Sequence, residues 1–193
     1  MAMAVLEILV YPDQRLKQKS KPVEVFNDSL LQFITELEET MRAGPGGVGI
    51  AAPQVGRFER IIVVDVSCKP KIKNHGRLVM VNPEIFAKEG NVVGREGCMS
   101  VPDFTGNVAR WDRIVVNALD EFGNRQAYVM EGYEARAVQH EIDHLDGLLF
   151  LDRLVSRRGN LFPRKVYKNL QVLIPGGHEK IPTLSRSRKS KTN

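Results

Sequence analysis

Residues 132–147, GYEARAVQHEIDHLDG, decide how this chain is organised. Val138, Ile142 and Leu145 recur at the spacing of one helical face, and Gly147 is placed to end the helix. Within it, His140 and His144 stand four residues apart, so both imidazoles leave the same face one turn apart and can reach one metal ion. Glu141 follows the first histidine. It is too far round the helix to share that coordination direction easily, but it is well placed to touch a water at the metal. A catalytic metal takes three protein ligands and leaves one position open. The extended metallopeptidase pattern adds a third histidine shortly after the glycine; here Gly147 is present but the position is Phe150, which cannot ligate. A glutamate on a later helix is the other common solution. Downstream of Asp152 the only acidic residue is Glu179, beyond Pro163 and Pro175. The third ligand is therefore expected upstream.

Cys98 is the best upstream candidate, set in Arg95-Glu96-Gly97-Cys98-Met99-Ser100-Val101-Pro102 between a glycine and a turn-forming proline. A thiolate is a strong ligand, and metal binding would keep it deprotonated. The alternative is a buried, inert thiol. Cys68, beside Ser67 and Lys69, has no such context and is read as structural. Further upstream, Gly46 to Gly56 (GGVGIAAPQVG) forms a loop of small residues. It lacks the Gly-Lys-Ser/Thr of a phosphate loop and the spacing of a dinucleotide fingerprint. What it offers is close backbone approach to a ligand, followed by Gln54, whose NH2 donor could stabilise an oxyanion beside a metal.

Around these segments the pattern is mixed. Asn27 and Asp28 are good N-caps for an amphipathic helix carrying Leu30, Ile34, Leu37 and Met41, ended by Gly44-Pro45. Residues 60–66 (RIIVVDV) read as a buried strand, residues 78–82 as another, and residues 113–120 and 125–130 as a hairpin. Strands precede one long helix without regular alternation, which predicts an α+β fold. The arrangement expected is antiparallel or mixed β-sheets packed around a central metal-binding helix, with the N-terminal amphipathic helix beside them. A single catalytic domain is expected over residues 1–174.

The 193 residues are 42% hydrophobic and 26% charged, which excludes a disordered, collagen-like or coiled-coil chain. No stretch approaches the ~18 apolar residues of a membrane span, and no secretory signal opens the chain. Net charge is +5. Arg186, Arg188, Lys189 and Lys191 supply most of it, so the basicity belongs to a tail, residues 175–193, expected to be disordered.

The three segments together resemble the peptide deformylase family. That family carries a Gly-x-Gly-hydrophobic-Ala-Ala-x-Gln loop, then Glu-Gly-Cys-x-Ser, then Gln-His-Glu-x-Asp-His. All three stand here in that order, at Gly47 to Gln54, Glu96 to Ser100 and Gln139 to His144. The segments LEILVYPDQRL, RIIVVDV, VNPEI and ALDEFGN are also similar to the family, so the likeness covers about residues 5–155. It does not extend to residues 175–193. The resemblance implies Cys98, His140 and His144 as metal ligands and Glu141 as general acid/base. It implies an oxyanion site from the Gln54 side chain and the Met99 backbone N–H, and backbone groups of Gly49 and Gly97 offered to the peptide. Val48, Tyr133 and Ala137 match positions lining a methionine pocket, and Arg110 matches one at its edge. The implied reaction is removal of the N-formyl group from the initiator methionine of nascent polypeptides. The implied cofactor is one divalent ion, Fe2+ before Zn2+, Ni2+ or Co2+.

A bacterial cytosol is the expected compartment, although an organelle enzyme without its transit peptide would carry the same features. The expected partner is the formyl-methionyl nascent peptide, with weak ribosome association through the basic tail, no DNA and no membrane. Three other readings stay open on the residues alone: a metallopeptidase, which Phe150 argues against; a non-catalytic module with structural zinc, which lacks an evident fourth ligand; and an RNA-binding protein, read from the basic tail, which shows no aromatic interleaving and no RNA motif.

Overall fold

The Asn27 side chain accepts the Leu30 N–H at 3.0 Å and opens the helix α1, Asp28–Ala43. Its buried face carries Leu30, Phe33, Ile34, Leu37 and Met41. In this computed structural model residues 5–156 and 158–164 are described; the tail expected over 175–193 lies outside them. Three strands follow α1: β1 (Gly49–Ala51), β2 (Ile61–Val64) and β3 (Leu78–Glu89). A hairpin of β4 (Val92–Cys98) and β5 (Val101–Arg110) comes next, then a second of β6 (Arg113–Leu119) and β7 (Arg125–Glu131). The helix α2, Gly132–Leu145, runs straight on from β7, and β8 (Leu161–Pro163) closes the described chain.

The strands form two sheets, one of five in the order β1-β2-β3-β6-β7 and one of three in the order β4-β5-β8, with every paired neighbour antiparallel. This is the expected α+β architecture. Successive side chains of a strand face opposite ways, and β2 is buried on both sides. Ile61 and Val63 pack with Leu30, Ile34 and Leu37 of α1, while Ile62 and Val64 pack with Val138, Ile142 and Leu145 of α2. The unbroken apolar run of β2 follows from that position between two helices. A third, smaller core gathers Cys98, Val101, Val108, Leu149 and Phe150 where the small sheet meets the chain leaving α2.

Several elements differ from expectation: β1 lies within the small-residue segment read as a loop, and β8 in a stretch not read as a strand. β3 continues to Glu89 rather than stopping at Asn82. Asn82 adopts a positive φ of 51°, and its pairing with β6 shifts register between Val81 and Glu84. Pro83, which has no N–H to donate, sits inside that irregularity. The Asn82 side chain bridges to Val23, accepting its N–H at 2.8 Å and donating to its carbonyl at 2.9 Å. The β4–β5 hairpin is a further addition. Gly94, Gly97 and Gly106 interrupt its alternation and hide it from a hydrophobic pattern.

Candidate active site

α2 presents His140 and His144 from one face, and the end of β4 brings Cys98 to them. Between Gly97 and Cys98 the β4–β5 register shifts: Gly97 pairs Thr105, but Cys98 pairs Val101. That irregularity turns the cysteine out of the regular pleat. The Cys98 Sγ and one ring nitrogen of each histidine lie within 4.8 Å of one another, all buried. Sγ stands 3.2 Å from His144 Nε2.

His140 Nδ1 lies 2.9 Å from Glu96 Oε2. That contact turns Nδ1 outward and leaves Nε2 for the cluster. Phe150, which cannot ligate, instead stacks on the His140 ring with centroids 6.4 Å apart. Burial pushes the Cys98 thiol up, but His144 and His140 beside it outweigh this and hold it well below the usual thiol range. A thiolate with two imidazoles is a donor set that fits a divalent transition ion.

Glu141 is buried beside the cluster, and its Oε2 has no hydrogen-bond partner among the described residues. Burial pushes its carboxyl up to about 7, against the opposing pull of His140 and His144. β1 makes room for it. A Cβ on Gly49 would stand 2.5 Å from Glu141 Oε1. Gln54 lies on the 3-10 turn Ala52–Val55 that follows β1. Its Oε1 accepts the Ala51 N–H at 2.9 Å, which fixes the amide with its NH2 toward the cluster. Nε2 then lies 3.1 Å from Ser100 Oγ and 3.5 Å from Cys98 Sγ.

Val48, Gly49, Gln54, Gly97, Met99, Tyr133 and Ala137 all line the cleft that holds Cys98, His140 and Glu141. Arg110 does not lie at its edge. Its guanidinium is buried, bonded to both oxygens of Glu96 at 2.9 and 3.0 Å and to Asp143. Two interior carboxylates draw it inward, where it lines a separate hollow with Trp111 and Arg153. Cys68 is exposed on a turn and packs in no core.

The cleft contains three arginines the motifs did not indicate: Arg95, Arg136 and Arg164. Arg136 precedes His140 by one helical turn, a spacing that placed it on the same face; Arg164 carried no such signal.

The profile of the polypeptide deformylase family matches residues 5–160. The chain belongs to that family. Polypeptide deformylases are metal-dependent enzymes that remove the N-formyl group from nascent peptides. A peptide deformylase of Thermodesulfovibrio yellowstonii is 44% identical over 163 residues, 84% of this chain and 97% of the relative. The crystal structure of a deformylase from Legionella pneumophila superimposes with a TM-score of 0.72 at 42% identity, over 78% of this chain and 86% of the other. A deformylase from Acinetobacter baumannii, solved with Met-Ala-Ser bound, gives a TM-score of 0.73 at 37% identity, over 79% of this chain and 99% of the other.

Proposed function

We propose that this deformylase hydrolyses N-formyl-methionyl peptides to formate and a free amino terminus, with Glu141 as its proton carrier and ferrous iron as its native ion. The observation that carries this is the buried Cys98, His140 and His144 cluster with the unpartnered Glu141 oxygen beside it in one cleft.

β1 and β4 are each the edge strand of their sheet, and Gly49 and Gly97 line the cleft between them. An extended peptide laid there adds as a strand, bonded through its backbone. Its methionine side chain enters the pocket of Val48, Tyr133 and Ala137, which brings the formyl group to the cluster. The relative from Acinetobacter baumannii solved with Met-Ala-Ser bound supports a short peptide beginning with methionine as the ligand.

What a divalent ion held by Cys98, His140 and His144 supplies is Lewis acidity, which polarises the formyl oxygen and lowers the pKa of water toward neutrality. Glu141 takes the proton of the attacking water. The oxyanion that forms on the formyl carbon accepts from the Gln54 Nε2 and the Met99 N–H, donors worth about 2.7–4 kcal/mol each in comparable sites. Glu141 passes the proton to the amide nitrogen, the C–N bond breaks, and formate leaves. The thiolate and imidazole set suits ferrous iron, zinc, cobalt or nickel, and a thiolate beside ferrous iron is open to oxidation.

The cytoplasm fits a nascent-peptide substrate, and no helix among the described residues is long and apolar enough to cross a membrane. The basic residues 186–191 support weak attraction to ribosomal RNA.

The test is formate release from a formyl-Met peptide, with metal measured on the same sample prepared under nitrogen. Glu141→Gln should keep the metal and lose about 100- to 10,000-fold in turnover. Wild-type turnover in the variant would remove Glu141 from the mechanism.

A further inference from the structure

One face of the small sheet opens into the cleft. Gly97 of β4 pairs with Thr105 of β5, which pairs with Phe162 of β8. Alternation puts Arg95, two residues from Gly97, and Arg164, two residues from Phe162, on that same face. Both arginines line the cleft. The Arg164 guanidinium reaches back over Gly97 and fills the space that a Cβ there would need. The Arg95 guanidinium lies 3.5 Å above the centre of the Phe162 ring, and its Nη1 donates to Thr105 Oγ1 at 3.1 Å.

These two arginines differ from the third in the cleft. Arg136 is committed: it donates to Glu96 at 2.9 Å and to the Val92 and Val108 carbonyls. Neither Arg95 nor Arg164 forms an ion pair among the described residues, although the chain holds them in place. Stacking and one hydrogen bond restrain Arg95 while leaving most of its donors unused. Two positive charges held at the wall of a substrate cleft, neither of them ion-paired among the described residues, are arranged for an anion from outside.

We infer that Arg95 and Arg164 form a subsite for a carboxylate of the substrate, one or two residues beyond the formyl-methionine. The position follows from strand geometry. A strand advances ~3.3 Å per residue, so Arg95 stands ~10 Å along β4 from Cys98, the reach of about three residues of an extended peptide. A peptide with its formyl group at the cluster passes Gly97 and brings its second and third residues between the two guanidiniums. A planar guanidinium fork matches a carboxylate in two-pronged fashion. The carboxylate has two sources: an acidic side chain, or the terminal carboxylate of a short peptide.

This inference rests on the deformylase reading, and its test separates the two. The holoenzyme is assayed for formate release on formyl-Met-Ala-X amides, with X glutamate, glutamine or lysine, and on the glutamine peptide with a free carboxylate. The glutamate peptide should exceed the lysine peptide in kcat/KM on the order of tenfold at low salt, and the gap should narrow as salt rises. An advantage of glutamate over glutamine within the amides assigns the side chain as source; an advantage of free acid over amide assigns the terminus. Arg95→Gln with Arg164→Gln should bring all these ratios toward one, a readout that any general loss of activity leaves unaffected. Equal rates across the wild-type series, or ratios that survive the double substitution, would overturn the subsite while leaving the deformylase reading in place. No formate from any peptide would overturn both.

Discussion

Glu96 Oε2 stands 2.9 Å from the Nδ1 of His140, and the same carboxylate holds Arg110 and Arg136. Burial alone would push its carboxyl up. The hydrogen bonds from His140 and Arg110 outweigh that and hold it well below the usual carboxylate range. A permanently charged acceptor therefore fixes the ring so that Nε2 meets the cluster. Glu96→Gln keeps an acceptor but loses the charge, and metal affinity should fall about 10- to 100-fold, read by competition with a chelator. Unchanged affinity would mean that packing against Phe150 alone orients the ring.

Arg110 and Arg153 both bond Asp143, and their burial separates their worth. Arg110 is 5% exposed and Arg153 49%. Replacing Arg110 by Met strips one cation from two interior carboxylates, and the loss should be about 3–5 kcal/mol in denaturant unfolding. Arg153→Ala removes a solvent-screened pair and should cost about 1 kcal/mol or less. Equal losses would contradict the buried placement of Arg110.

Gly49 gives Glu141 its space. The Cβ of Gly49→Ala would meet Oε1 at 2.5 Å and the carboxyl carbon at 2.9 Å. The carboxyl group must then shift, and a displacement of this size costs about 100-fold in turnover. Stability should change little, because a side chain facing a cleft can move. A drop in melting temperature as large as that of Arg110→Met would show the strain falling on the backbone instead.

Glu38 ties α1 to the entry of β3. Its two oxygens accept from Arg42 and Arg77 at 2.7 Å each. Burial raises its carboxyl, but these hydrogen bonds outweigh it and leave the value lowered from 4.5. A depressed carboxylate contributes stability above its unfolded value and loses it as pH falls through the folded one. Glu38→Gln should therefore melt lower than wild type above pH 4.5, and the two curves should converge as the solution becomes more acidic. A constant gap at every pH would assign the effect to packing.

The metal cluster was legible because coordination demands residue types that sequence displays directly. Two histidines one helical turn apart have few other uses, and the missing histidine at Phe150 pointed back to Cys98. The helices were legible through the period of Leu30, Ile34 and Leu37, and of Val138, Ile142 and Leu145. Arg110 was misplaced because its partners, Glu96 and Asp143, are remote in sequence, and no spacing marks a cation that will turn inward. The length of β3 was hidden by Asn82-Pro83, which reads as a stop but sits in a sheet irregularity. β4 was hidden by Gly94 and Gly97, whose Cβ positions are taken by the guanidiniums of Arg136 and Arg164.

The cluster also has a mechanical meaning. Its sulfur rides on the end of the small sheet, its nitrogens on a helix seated against the large one, and the two sheets share no strand. An ion bound there rivets two layers that are otherwise joined by side chains and by the short backbone links from β3 to β4 and from β5 to β6. Chelation should let the small sheet breathe first, with amide exchange quickening in residues 92–110 before the helix-backed layer loosens.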